Sequence, residues 1–267
     1  MPDTHRIVPG AEVDLSKISP EGKDYHSHKK AARKEFKTLR REIIELQNRL
    51  YAECRQRLLI VFQAMDAGGK DGTIRSVFRG VNPQGCRVAS FKAPTRDELH
   101  HDFLWRIHAQ TPASGMMQVF NRSHYEDVLV VRVDKLAPEP VWRARYEQIN
   151  QFEKLLADSG TRILKFYLHI SKDEQKARFQ ERLDDPAKHW KFSLGDLEKR
   201  KQWGEYRAAY EEAISRCSTA YAPWYVIPAN QNWYRDLAVT RVIVDRLKQM
   251  NPQYPPEEPG LDLVEVE

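Results

Sequence analysis

The stretch from Arg57 to Thr73 constrains this chain more than any other. It reads Arg57-Leu58-Leu59-Ile60-Val61-Phe62-Gln63-Ala64-Met65-Asp66-Ala67-Gly68-Gly69-Lys70-Asp71-Gly72-Thr73. Residues 58–62 are continuously apolar, the signature of a strand buried on both faces of a parallel sheet. Gly68 and Gly69 interrupt it, and Ile74, Val77 and Phe78 then fall on one face of a helix. Strand, glycine-rich turn and helix are the context of a phosphate-binding loop. Glycine lets backbone N–H groups turn inward towards an anion, and the helix start offers unpaired N–H groups and a positive dipole end. Lys70 adds a mobile charge. The stretch departs from the usual G-x-x-x-x-G-K-[ST] pattern, with Ala64 in place of the first glycine and Asp71 in place of the hydroxyl residue. The nearest hydroxyl is Thr73. A plain glycine-rich turn would share the spacing, but a solvated turn has no need of Asp66, whereas a magnesium–phosphate site does. Asp66 and Lys70 are therefore candidate catalytic residues, with Asp66 the candidate metal ligand. Ala67, Gly68, Gly69, Asp71, Gly72 and Thr73 are candidate phosphate-binding residues.

Strands alternate with helices along the rest of the chain. Residues 1–24 lack periodicity and read as an irregular arm. Over residues 27–56, Phe36, Leu39, Ile43, Leu46 and Leu50 recur in steps of three and four, a helix that packs on the domain or on another subunit. Further strands are expected over 87–91, 116–120, 163–170 and 224–227. Thr95-x-x-Glu98 and Ser171-x-x-Glu174 read as capping boxes, the first opening a helix through Leu99, Phe103 and Ile107. Residues 128–133 are read as a short helix, and 139–159, 194–216 and 233–250 as longer ones. The chain divides into an arm and long helix (1–56), a core (57–250) and an irregular Pro- and Glu-rich tail (251–267). This alternation gives an α/β fold, a parallel sheet with helices on both faces. Ligands then bind outside the carboxyl ends of the strands, which gathers residues 66–70, 91–96, 121–127 and Ser171 on one rim.

Two more groups on that plan suit phosphate chemistry. Asn121, Arg122, Glu126 and Asp127 follow a strand end, where a polar turn with an ion pair is the plain alternative. Arg178 and Arg182 share a helix face, and two guanidinium forks suit several phosphate oxygens. Lys188 and Lys191 follow in a Pro-broken, aromatic segment with His189 and Trp190. A solvated charge run explains these as well, since Glu181, Asp184 and Asp185 could pair the two arginines. With the broken segment the pattern reads as a helical lid at about residues 178–196 that closes on phosphates and excludes water. Phosphoryl transfer needs cations around the moving group and an in-line acceptor, which Lys70, Arg122, Arg178, Arg182 and magnesium on Asp66 would supply. His100-His101 reads as a surface pair, His124 as a polar strand-end residue, and Trp142, Trp203 and Trp233 as core.

Composition narrows the partners. The chain has 267 residues, 43 Lys+Arg against 38 Asp+Glu and a net charge of +5, too mildly basic to argue for nucleic acid. It has three scattered cysteines, which fits the reducing cytoplasm. Residues 1–10 carry no secretory h-region, and no apolar run is long enough to span a bilayer.

Four motifs, Ala64-Met65-Asp66-Ala67-Gly68-Gly69-Lys70-Asp71-Gly72-Thr73, Phe120-Asn121-Arg122-Ser123-His124-Tyr125-Glu126-Asp127, Lys188-His189-Trp190-Lys191-Phe192 and Ala222-Pro223-Trp224-Tyr225-Val226-Ile227-Pro228-Ala229-Asn230, resemble the second family of polyphosphate kinases. The resemblance runs over residues 25–250. It implies a P-loop phosphotransferase with a thymidylate-kinase-like core and an N-terminal helical extension, transferring phosphate between inorganic polyphosphate and nucleotides with Mg2+. The 120–127 motif and Asp71 resemble the subgroup that phosphorylates both AMP and ADP, yielding ATP. The resemblance implies that Asp66 and Lys70 carry the centre, that Arg122 contacts phosphate, and that Arg178, Arg182, Lys188 and Lys191 line the polyphosphate path. Where the family has an acid at the strand end, this chain has Asn121. The family also implies a homodimer or homotetramer. The residues by themselves leave open an ATP-dependent nucleotide or nucleoside kinase, and a polyphosphate- or RNA-binding protein without catalysis. An ATP donor needs an adenine pocket beyond the loop, whereas polyphosphate needs a continuing basic channel.

Overall fold

The computed structural model of the chain describes residues 2–261, 264 and 266. Its centre is a parallel five-stranded sheet in the order β2-β3-β1-β4-β5. The strands are β1 (Arg57–Gln63), β2 (Cys86–Ser90), β3 (Met117–Asn121), β4 (Thr161–His169) and β5 (Trp224–Pro228). The apolar run takes the middle position because both of its faces can be covered. Leu59 and Val61 belong to one core and Leu58, Ile60 and Phe62 to the other.

The helices are α1 (Lys29–Glu53), α2 (Lys70–Val77), α3 (Arg96–Leu99), α4 (Trp105–His108), α5 (Val130–Val133), α6 (Glu139–Asp158), α7 (Lys172–Asp184), α8 (Leu194–Lys201), α9 (Trp203–Cys217) and α10 (Asn232–Met250). On one face α6 and α9 bring Trp142, Ile149, Phe152, Tyr210 and Ile214 into the core. On the other, α1, α2 and α10 bring Ile43, Leu50, Ile74, Val77 and Leu247. The apolar stripe of α1 therefore covers this chain's own sheet and α10. A bidentate pair fixes the two helices, with Arg241 Nε and Nη2 each 2.7 Å from a Glu35 oxygen. The arm is irregular but docked. Ile7 N–H donates to Trp224 O at 2.9 Å and Arg6 forms an antiparallel bridge to Tyr225, so the edge of β5 is covered. Residues 251–261 form no helix beyond an isolated turn, and tail residues 262, 263, 265 and 267, like Met1, lie outside the described residues.

Three expectations need correction. The helix from Thr95 stops at Leu99 and resumes only at Trp105, because Asp102 Oδ1 accepts the Leu104 N–H and offers the backbone a turn instead. Thr95 and Glu98 do form the reciprocal capping box. At Ser171 only half the box exists. Ser171 Oγ accepts the Glu174 N–H, but the Ser171 N–H goes to Asn230 and Glu174 turns to Arg178. The helix expected over 194–216 is two helices broken at Gln202, since α9 buries Tyr206, Ala209, Tyr210 and Ala213 while α8 buries nothing.

A buried ionic cluster between β4, α6 and the turn after β3 was not foreseen. Lys165 donates to Glu153 (2.5 Å), to the Tyr125 hydroxyl (2.8 Å) and to Cys217 O (2.6 Å), which uses all three of its protons. Tyr125 Oη donates to Glu153 at 2.9 Å, and His124 Nε2 lies 3.1 Å from the same oxygen. His124, read as a simple strand-end polar residue, is thus fully buried. Although burial opposes it, Lys165 holds the Glu153 carboxyl below its ordinary range. Lys165→Met strands a buried carboxylate and is expected to cost about 3–5 kcal/mol in urea unfolding. Adding Glu153→Leu should restore part of that loss. Equal losses for the single and double variants would refute the pairing.

Candidate active site

The site lies at the carboxyl ends of β1 and β3. After β1 the chain turns through Ala67 (φ 59°) and Gly69 (φ 97°) into α2. A Cβ on Gly68 would overlap Ala64 Cβ and approach Met65 O to 2.8 Å, so the tight turn needs glycine there. The loop carbonyls are held from outside. Ala64 O accepts from Lys70 Nζ (3.2 Å) and Tyr210 Oη (3.0 Å), Asp66 O from Gln175 (2.8 Å), and Ala67 O from Arg178 Nη1 (2.9 Å). The first intrahelical bond of α2 runs from Thr73 N–H to Gly69 O at 2.9 Å. The N–H groups of Lys70, Asp71 and Gly72 precede it and face the open helix end, where an anion binds.

At the neighbouring strand end Arg122 takes a left-handed backbone (φ 64°), while its N–H still donates to Phe62 O at 3.1 Å. A non-glycine residue held there is strain stored at a functional place. Arg122 Nη2 reaches Asp66 Oδ1 at 3.3 Å, and Asn121 Nδ2 donates to Asp71 Oδ1 at 2.7 Å. The two turns are thereby cross-linked side chain to side chain. Burial first, and then the Arg122 charge, pull the Lys70 ammonium below its ordinary range. Burial works against the Arg122 guanidinium, but Glu126 and Asp66 raise it.

A cleft of about 720 Å³ opens over the loop. The structure brings together there Asp66, Ala67, Gly68, Gly69, Lys70, Asp71, Gly72, Asn121, Arg122, Arg178, Arg182, Lys188 and Lys191. Three of the candidates lie elsewhere. Thr73 is buried and its hydroxyl donates to Gly69 O (3.0 Å), so it braces the loop from behind. Glu126 and Asp127 line a second cleft of about 350 Å³ with Phe91, Phe103, Val131, Leu136, Arg106 and Arg145. Arg122 lines both clefts. Below it, Glu126, Tyr206 and Tyr210 close a water-sized cavity of about 30 Å³. Ser171 sits at the same end of the sheet but outside the cleft, where it caps α7.

The cleft's far wall is the segment expected as a lid. Arg182 Nη1 donates to Lys191 O at 3.0 Å, and Lys188 pairs with Glu181 (2.7 Å) and Asp185 (3.0 Å). Of the carboxylates weighed as partners for the two arginines, Glu181 and Asp185 go to Lys188 instead, while Arg178 pairs with Glu174 (2.7 Å) and Arg182 lies 3.6 Å from Asp196. Lys191 lies 4.8 Å from the Trp190 ring, and Trp190 is 79% exposed. The guanidinium beside Arg178 is that of Arg235, which sequence reasoning missed. Asn232 Oδ1 accepts from Arg235 Nη1 (2.7 Å) and from Arg178 Nη2 (3.5 Å). Placing the end of β5 on the rim with the other strand ends would have found it.

Among the described residues no group of three or more His, Cys, Asp and Glu side chains is placed to hold a metal. The two carboxylates Asp66 and Asp71 fit magnesium, which keeps several waters and takes one or two carboxylates together with substrate phosphates. Asp66 and Asp71 both face the cleft.

The loop, the sheet order and the basic cleft define a P-loop kinase-like phosphotransferase. The chain belongs to the polyphosphate kinase 2 family, whose model matches residues 26–255. It is 53% identical to a protein of Meiothermus ruber named AMP/ADP-polyphosphate phosphotransferase, over 98% of this chain and 99% of that one. It is 44% identical to an ADP-polyphosphate phosphotransferase of Rhodopseudomonas palustris, over 96% and 92%. Its fold superposes on the crystal structure of polyphosphate kinase 2 from Arthrobacter aurescens with a TM-score of 0.92 at 42% identity, covering 96% of this chain and 92% of that one.

Burial pushes the Asp127 carboxyl up to about 6, outweighing Arg145 at 3.0 Å and Arg106. A carboxyl raised in the folded state contributes stability below its unfolded value near 4, and that contribution is lost as pH rises through about 6. Wild-type stability relative to Asp127→Asn should therefore fall by roughly 1–3 kcal/mol between pH 4 and pH 7. Parallel pH profiles in urea titrations would show that Asp127 ionises as an ordinary surface acid.

Proposed function

We propose that this chain transfers phosphoryl groups between inorganic polyphosphate and adenine nucleotides, taking AMP to ADP and ADP to ATP. The observation that carries the reading is that two clefts of different chemistry meet at Arg122. The larger continues from the loop along Arg178, Arg182, Lys188 and Lys191, a wall suited to a linear polyanion. The smaller has aromatic and aliphatic walls with Arg106 and Arg145 at its polar end, which suits a nucleoside carrying phosphate. Names of the relatives point the same way, since both are polyphosphate phosphotransferases acting on ADP or on AMP and ADP. An ATP donor is the competing reading, but the wall beyond the loop is predominantly charged rather than an adenine slot.

In this reading the donor's terminal phosphate rests on the N–H groups of Lys70–Gly72 and on Lys70 Nζ. The acceptor's terminal phosphate oxygen attacks that phosphorus in line. A P–O bond forms to the nucleotide, the bridging P–O bond breaks, and the donor leaves one phosphate shorter. Arg122, lining both clefts, neutralises charge on the group in flight. Magnesium, when bound at Asp66, supplies further charge neutralisation on the donor oxygens. We extend the same proposal to a cytoplasmic homodimer or homotetramer. The cysteines Cys54, Cys86 and Cys217 are all free, as in a reducing compartment. No helix among the described residues is long and apolar enough to cross a membrane. The assembly is checked by light scattering.

The experiment is a coupled assay with magnesium and polyphosphate, offering AMP and ADP separately. ATP should form from ADP, and ADP then ATP from AMP. Lys70→Ala and Asp66→Asn should each lower kcat on the order of 100-fold or more. Chelation should abolish turnover, and added magnesium should restore it. Turnover with ATP as donor and none with polyphosphate would overturn the reading.

A further inference from the structure

Arg235 is almost completely buried, 3% exposed, yet it lines the cleft over the phosphate loop. It projects from the first turn of α10, the helix that follows β5. Asp236 Oδ1 accepts from its Nε (2.9 Å) and Nη2 (2.7 Å), and Asn232 Oδ1 accepts from its Nη1 (2.7 Å). A guanidinium has five N–H donors, so two have no protein acceptor assigned by these contacts. The fork lies directly on the loop. A Cβ on Gly69 would overlap Arg235 Nη1 and stand 3.3 Å from Arg178 Nη1, and a Cβ on Gly72 would stand 3.7 Å from Arg235 Nη2.

Arg178 and Arg235 are therefore held side by side against one glycine, sharing the neutral acceptor Asn232 Oδ1. Each has one carboxylate partner, Glu174 for Arg178 and Asp236 for Arg235. Burial, and in part the Arg235 charge, lower the Arg178 guanidinium, so the two cations repel each other where water is scarce. Lys70 and Arg122 add further positive charge on the same cleft floor. Arg178 already donates to Glu174, Ala67 O, Ala229 O and Asn230 O, which leaves one Nη1 N–H beside the two left on Arg235. Two guanidinium groups fixed side by side, with free N–H groups on each, suit linked phosphates better than a single phosphate.

We infer that Arg235 is a donor-binding residue. With Arg178 it receives the phosphate adjacent to the one held by the loop, and so helps to select a linear polyphosphate. This rests on the polyphosphate reading above. Wild-type turnover with polyphosphate tests that reading, whereas the ratio of variant to wild type tests Arg235.

The test is steady-state kinetics of Arg235→Met and Arg235→Lys with AMP as acceptor and with tripolyphosphate or long-chain polyphosphate as donor. Losing a charge-assisted fork should raise the donor KM of Arg235→Met about 10- to 100-fold. Arg235→Lys, which keeps the charge but not the fork, should fall between it and wild type. The AMP KM should stay at the wild-type value, which a merely structural role would not spare. If Arg235→Met does not fold, Arg235→Lys carries the test alone, as a raised donor KM at unchanged AMP KM. An unchanged donor KM would overturn the inference. So would donor and AMP KM rising together, which would make Arg235 a support of the loop only.

Discussion

The positive charge gathered at the carboxyl end of β1 is the constraint on which the rest of this structure depends. Lys70, Arg122, Arg178 and Arg235 converge on one loop, and burial, with a neighbouring guanidinium in each case, pulls Lys70 and Arg178 towards their neutral forms. Desolvating a charge is costly, and like charges near one another add to that cost. A fold tolerates such a place when an anion completes it. Four carboxylates line that cleft against eight Lys and Arg side chains, and all four are engaged, Asp66 with Arg122, Asp71 with Asn121, Glu181 with Lys188 and Asp196 with Arg182. The balance left over is positive, and it is matched to a substrate that brings many negative charges in a line.

That concentration of charge stands on an apolar foundation. β1 is covered on both faces because its residues alternate between two cores, and its end is therefore fixed in position. The loop it delivers is then held by groups from three other elements. Tyr210 comes from α9, Gln175 and Arg178 from α7, and Lys70 reaches back from α2. Each takes a loop carbonyl, so the opposite side of the peptide units, the N–H side, is left for the ligand. Arg122 is placed with equal care, since its strained backbone is braced by Phe62 O on one side and followed by the buried Ser123-His124-Tyr125 turn on the other.

Much of this was legible in the sequence for physical reasons. A strand buried on both faces must be apolar throughout, and a loop that approaches phosphate must carry glycine, so residues 57–73 announced strand, loop and helix together. The rim rule then gathered Asn121 and Arg122 with them. What could not be read was contact between distant segments. Nothing local distinguishes Glu153 and Lys165 from surface charges, since their burial comes from α6 meeting β4. Asp127 lines a cleft as its place after β3 suggested, but it is the second cleft, where it pairs with Arg145 from α6, a contact no local pattern shows. Arg178 and Arg182 share a helix face as the spacing required, yet their forks go to different partners.

That divergence on α7 has a mechanical meaning. Arg178 is tied to Ala67 O in the phosphate loop, and Arg182, one turn further, to Lys191 O in the segment that walls the cleft. A single rigid helix thus connects the loop that holds one phosphate to the wall that faces the next ones. A helix turn rises about 5.4 Å, so loop and wall are fixed at a spacing set by backbone geometry rather than by flexible side chains alone. Entry of a polyanion that draws Arg182, Lys188 and Lys191 inward would act on the same helix that shapes the loop. Donor binding and loop geometry are in this way parts of one structural unit.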